Sequence, residues 1–168
     1  MSLSPSEVAA QRGPFVGQEG HLDVPFLSTP IPVVERMLDL AGVGPGVRLL
    51  DLGCGDGRIV VAAAERGALA SGVDLDRARI AEAEAAARAA GVTGRVRFDR
   101  GDLFAADLGG VDVVTLFLLA HVNAWLEGKL LAELRPGARV VSYRFPMPNW
   151  APSAALEGDP PAVYLWTR

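Results

Sequence analysis

The stretch Leu49-Leu50-Asp51-Leu52-Gly53-Cys54-Gly55-Asp56-Gly57-Arg58 decides how this chain is read. Val47 to Leu52 is a short apolar strand, and a loop with glycine at every second position follows it directly. Asp56 to Arg66 then reads as a helix that Gly67 ends. Glycine permits a sharp turn and a close ligand approach, and a helix start presents unpaired N–H groups. Strand, glycine loop and helix in this order are the opening unit of a parallel sheet with helices packed on it.

The same alternation extends both ways. Ser28-Thr29-Pro30 predicts a helix start with a hydroxyl cap and an early proline. Val33, Val34, Met37, Leu38 and Ala41 then recur at helical spacing until Gly42 and Gly44-Pro45-Gly46. Downstream, strands are predicted at Leu69–Leu75, Arg95–Phe98, Val111–Phe117 and Ala138–Tyr143, with tail strands near Ser153–Leu156 and Ala162–Trp166. Asp76 can cap a helix running to Gly91. His121 to Leu134 carries Val122, Leu126, Leu130 and Leu134 at four-residue spacing, a further helix. The expectation is an α/β doubly wound sheet, whose ligand lies beyond the carboxyl ends of the strands.

Composition narrows the function. The chain has 168 residues, half of them hydrophobic, enough for one domain with a real core. A formal net charge of −4 argues against nucleic acid as the main partner. Cys54 is the only cysteine, and His21 and His121 are the only histidines and lie far apart, so no metal site is expected. The longest apolar run, Val113 to Ala120, is too short to span a bilayer, and the start lacks a signal-peptide pattern. A cytoplasmic location follows as the expectation. Residues 1–27 read as an irregular arm that closes over the site, and residues 28–168 as the folded domain.

Three acids follow three successive strands. Asp74, 21 residues after Gly53, is placed to accept hydrogen bonds from both hydroxyls of a ribose. Arg58 stands where a dinucleotide fingerprint needs glycine or alanine, and Asp51 would repel a pyrophosphate but attract an ammonium. Asp102 can accept the amino hydrogen of adenine while the Leu103 N–H meets a ring nitrogen. These features favour S-adenosylmethionine, which carries an ammonium and a sulfonium and no phosphate. Asp56 and Arg58 otherwise read as helix-start and surface groups, and Cys54 as a small residue suited to a tight loop.

Asp51-Leu52-Gly53-Cys54-Gly55-Asp56-Gly57, Gly72-Val73-Asp74 and Gly101-Asp102-Leu103 resemble, in order and spacing, the cofactor motifs of the class I, seven-strand methyltransferases. The resemblance implies a Rossmann-like, mainly parallel sheet that ends in an antiparallel hairpin. The segments Leu116–Asn123, Lys129–Ser142 and Tyr143–Trp150 look more narrowly like the archaeal broad-specificity protein lysine methyltransferases and their mitochondrial relatives. That likeness implies cofactor contacts at Thr29, Gly53, Gly55 and Phe117 in addition to the three acids. It implies that Phe26 walls a lysine channel, to which Leu118, Tyr143 and Trp150 are further candidate walls. Tyr143 and Trp150 stay open between channel lining and core packing. His121 is a candidate proton acceptor or simply a helix flank. Phe26 and Ser28 depart from the family's tyrosine and proline at those places. No Asp/Asn-Pro-Pro-Tyr/Phe motif follows the fourth strand, which speaks against the amino-methylating DNA enzymes. The acceptor is thus read as a protein lysine amine. A small-molecule methyltransferase and a non-catalytic S-adenosylmethionine-binding module are the rivals.

Overall fold

An apolar strand that alternates its side chains between two buried surfaces needs a helical layer on each face. The computed structural model shows this arrangement. It describes residues 27–158 and 162–168, so Phe26, His21 and nearly all of the arm lie outside the described residues. Its elements are α1 (Ile31–Leu40), β1 (Arg48–Leu52), α2 (Arg58–Glu65), β2 (Leu69–Asp74), α3 (Arg77–Ala90) and β3 (Val96–Arg100). They continue with β4 (Val113–Leu116), α4 (Ala120–Glu133), β5 (Arg139–Tyr143), β6 (Ala154–Leu156) and β7 (Val163–Thr167). The strand order is β3-β2-β1-β4-β5-β7-β6. The first five strands are parallel, and β7 runs antiparallel to both β5 and β6. The order reverses between β1 and β4, so the glycine loop emerges at the switch point where such sheets bind ligands.

Two cores share the sheet. Leu49, Val113 and Val141 pack with Val34, Met37 and Leu38 of α1 and Val60 of α2. Leu50, Leu52, Val114 and Val140 point the other way, toward Leu126 and Leu130 of α4 and the fully buried Trp166. Asp51 and Thr115 are register partners in mid-sheet, a buried polar pair between apolar neighbours.

The structure corrects several local readings. Neither Ser28 nor Thr29 caps α1: Pro30 is itself the cap residue, and its carbonyl receives the first helical N–H groups, from Val33 and Val34. The fourth strand is shorter than expected: Val111 and Asp112 precede it, and Phe117 leaves the sheet to line a cavity. The third strand starts at Val96 and runs on to Arg100, where it pairs with Asp74. On α4 the buried face holds Asn123 and Glu127 beside Leu126 and Leu130, two polar residues on a face read as apolar. They hydrogen-bond to Phe145 and Asn149 in the loop after β5. Asp76 does cap α3, accepting from the Ala78 N–H at 2.8 Å.

Gly57 is fixed by both backbone and space. Its φ is 79°, and a Cβ there would stand 2.6 Å from the Ala83 Cβ. Gly57→Ala should destabilise the fold by about 2–4 kcal/mol, summing a left-handed non-glycine and a core clash. Adding Ala83→Gly should restore only the clash component. Urea titration of both variants reads this, and wild-type stability in Gly57→Ala contradicts it.

Candidate cofactor and acceptor site

The glycine loop is pinned before any ligand arrives. Gly53 and Cys54 donate their N–H groups to the Val73 carbonyl at 2.9 and 3.0 Å, stitching the loop to the end of β2. Asp74 completes the fastening, with Oδ2 accepting from the Gly55 N–H and Oδ1 from the Asp76 N–H, both at 2.9 Å. The acid expected to meet a ribose is thus also the one that fixes the glycine loop. Gly101 donates its N–H to the Asp74 carbonyl at 2.9 Å, which brings the third acid alongside. Asp102 caps a short helical turn at Leu103–Ala105 by accepting from the Phe104 N–H. Leu103 and Leu118 approach Gly53 from the same side, and a Cβ there would lie 4.0 and 3.0 Å from their Cδ2 atoms. Leu118, assigned to the lysine channel from sequence, thus stands with Leu103 beside the glycine loop.

The loop also borders a small cavity. Thr29, Asp51, Gly53, Gly55, Arg58 and Phe117 are among its walls. Asp51 is 3% exposed and accepts one hydrogen bond, from Thr115 Oγ1 at 2.8 Å. Burial pushes its carboxyl up to about 7; the Thr115 bond opposes this, and the charges of Asp74 and Asp56 add to it. A buried acid facing a cavity whose one cationic wall residue among the described residues, Arg58, is already paired with Asp56 suits an ammonium. Cys54 is buried, and its Cβ and Sγ lie 2.6 and 2.7 Å from where a Cβ on Gly72 would stand. Burial, then Asp51 and Asp74, push its thiol up, so it acts as loop packing and not as a nucleophile.

Arg58 has a role that the sequence did not disclose. Its guanidinium forks onto Asp56 through Nε at 3.0 Å and Nη2 at 2.6 Å, and its Nη1 donates to the Thr29 carbonyl at 3.0 Å. The fork holds the Asp56 carboxyl below its usual range. Arg58 straps the chain entering α1 across the glycine loop and keeps the buried Thr29 against the cavity. The only sequence signal was a bulky residue at a place where dinucleotide sites want glycine.

The remaining expected residues divide. Tyr143 is buried, its ring 4.6 Å from that of Phe117, so it backs the cavity wall. Trp150 lies 6.1 Å from Trp166 and accepts from its indole N–H at 2.7 Å. Trp166 pairs with Val140 near the start of β5, so Trp150 joins the core at the opposite end of that strand from Tyr143. His121, in the first turn of α4, sets its ring edge-on to Trp125 at 5.1 Å. Phe104 extends this group, 6.3 Å from Trp125. Phe26 lies outside the described residues. Among the described residues no cluster of three or more His, Cys, Asp or Glu is placed to hold a metal ion.

This sheet order, a loop fastened to the acid ending β2, and a buried acid under the loop define a class I methyltransferase. Residues 51–154 match the ANTKMT methyltransferase domain. A protein-lysine N-methyltransferase of Saccharolobus islandicus is 44% identical over 136 residues, 80% of this chain and 84% of that one. The adenine nucleotide translocase lysine N-methyltransferase of Mus musculus is 42% identical over 136 residues, 80% of this chain and 59% of that protein. This chain therefore spans little more than half the length of the mouse relative. A crystal structure of an RNA methyltransferase from Salinibacter ruber, in complex with S-adenosyl-L-homocysteine, is 45% identical. It aligns with a TM-score of 0.82 over 84% of this chain and 93% of that one. The chain belongs to the ANTKMT methyltransferase domain family, and its cofactor is S-adenosylmethionine.

Two measurements check this site. The folded-state pKa of Asp51, about 7, lies above its ordinary value of 3.8. The stability it lends the cofactor-free protein is full below about pH 4 and lost as pH rises to about 7. Cofactor affinity should move oppositely, rising up to tenfold per pH unit toward pH 7 with release of a proton, and Asp51→Asn should flatten both trends. Calorimetry in buffers of different ionisation enthalpy reads the proton, and a pH-independent affinity contradicts the assignment. Asp74→Ala should weaken S-adenosylmethionine binding by about 1.5–3 kcal/mol, roughly ten- to a hundredfold, through the lost charge-assisted bonds. Unchanged affinity in a folded variant would remove Asp74 from the ribose.

Proposed function

We propose that this protein transfers the methyl group of S-adenosylmethionine to the side-chain amine of lysines in other proteins. The observation that carries this reading is the 44% identity to a protein-lysine N-methyltransferase across four-fifths of the chain, with few residues of that relative left uncovered. When bound, S-adenosylmethionine supplies an electrophilic methyl carbon for in-line transfer to a neutral amine. The chain supplies the holding groups: Asp51 for the ammonium, Asp74 for the ribose, Asp102 and the Leu103 N–H for adenine. Arg58 and Thr29 close the end nearest Asp51.

The acceptor needs its amine neutral, against a reference pKa of about 10.4. The Phe117–Tyr143 ring pair is an apolar wall beside the cavity, and burial against such a wall disfavours the ammonium form. Holding the amine in line supplies much of the rate, so the chemistry demands no dedicated base. Leu27 and Thr29 line the cavity, which supports a cofactor-lid role for the arm that ends at Leu27, whose other residues lie outside the described ones. We place the protein in the cytoplasm, a reducing compartment that suits a single buried thiol.

The Salinibacter neighbour favours RNA as a second reading, and one assay separates the two. Tritiated S-adenosylmethionine is supplied with enzyme alone, with a lysine-rich protein, with that protein after lysine acetylation, and with cellular RNA. Label is expected on the unmodified protein only. The enzyme alone should stay nearly unlabelled, because Lys129 is its one lysine and is ion-paired to Glu133 on α4 at 2.7 Å. Label that survives acetylation, or that falls on RNA, overturns lysine as the acceptor.

A further inference from the structure

The chain leaves β5 through a three-residue turn. The Phe145 N–H donates to the Tyr143 carbonyl at 3.0 Å, and Arg144 between them has φ 70°. Among the described residues Arg144 is the only non-glycine in this left-handed region, which ten glycines also occupy. Arginine has no conformational reason to be there, whereas glycine or asparagine would sit with less strain.

The surroundings impose the strain. The Arg144 N–H donates to the Ala162 carbonyl at 2.8 Å. The Phe145 carbonyl accepts from Ser142 Oγ at 2.7 Å and from Asn123 Nδ2 at 2.9 Å. Glu127 Oε2 accepts from the Asn149 N–H at 2.9 Å. All three side chains that grip the loop are buried, while Arg144 itself is exposed. No carboxylate among the described residues pairs with its guanidinium. It directly follows Tyr143, whose ring backs the Phe117 wall of the cofactor cavity. A strained backbone, a rigid mounting and a cation with no carboxylate partner among the described residues therefore coincide one residue beyond the Tyr143 that backs the cavity wall. Strain kept at such a place is a mark of function.

We propose that Arg144 is a specificity-determining residue, whose guanidinium binds a carboxylate on the acceptor protein beside the target lysine; this rests on the lysine reading above. A guanidinium fork matches a carboxylate with two parallel bonds, and the clamped loop leaves little ordering to be lost on binding.

The test uses the full chain and two peptides, each with one lysine, flanked by glutamates in one and glutamines in the other. Arg144→Gly removes the cation and relaxes the turn. It should melt at or above the wild-type temperature, bind S-adenosylmethionine within twofold of wild type, and lose at least tenfold in kcat/KM on the glutamate peptide. On the glutamine peptide it should match wild type. Arg144→Lys should restore part of the glutamate preference. Equal turnover of the two peptides by the wild type, or an unchanged preference in Arg144→Gly, overturns the role of Arg144 and leaves lysine methylation standing. A wild type that labels neither peptide and only RNA or metabolites overturns the lysine reading, and the acceptor carboxylate with it.

Discussion

Both oxygens of Asp74 hold backbone amides, one in the glycine loop and one at the start of α3. That double bond to the main chain fixes how the loop after β1 stands relative to the end of β2. The glycine loop and, through the Gly101 N–H on the Asp74 carbonyl, the third acid are positioned from that relation. A carboxylate that accepts two N–H groups retains lone pairs on both oxygens, so it can hold the protein and a ligand diol at once. Gly53 and Cys54 reinforce the same junction through the Val73 carbonyl, and Gly72 leaves the space that Cys54 fills. The loop is preorganised by the strand beside it, which lowers the ordering cost that binding would otherwise carry.

Against this rigid frame Asp51 is electrostatically unsatisfied. It has one hydroxyl donor and two like charges nearby, in a buried position that disfavours ionisation. Replacing it with an apolar residue would relieve the fold. The ammonium proposed to bind there would turn a costly buried acid into half of an ion pair. Arg58 bears on the same end of the cavity, and by spanning Asp56 and the Thr29 carbonyl it ties the closing segment to the loop.

The fold was legible because strands buried on both faces read as unbroken apolar runs, and because glycines and an aspartate mark the helix ends. The places of the three acids and the glycines at consecutive strand ends were legible because their spacing follows from the geometry of parallel strands. Other features required long-range information. The Arg58 strap joins residues 29 apart, and no local pattern records a side chain reaching a distant carbonyl. Asn123 and Glu127 occupy core positions on α4 only because the loop after β5 needs their hydrogen bonds. Trp150 stood open between channel lining and core packing, and only the pairing of β5 with β7 shows that it packs against Trp166. Phe117 was counted into a strand because nothing in an apolar run shows where the sheet releases it.

The loop after β5 and the cofactor cradle are fastened to different layers. Asn123 and Glu127 of α4, together with Ala162 ahead of β7, hold the loop, while β2, α2 and the segment entering α1 hold the cradle. The sheet between them is their common floor. In evolutionary terms this is a separable machine. Changes on the α4 side can reshape the loop while the fastenings of the cradle stay in place. A lineage built on this plan can vary one half of the molecule and keep the other.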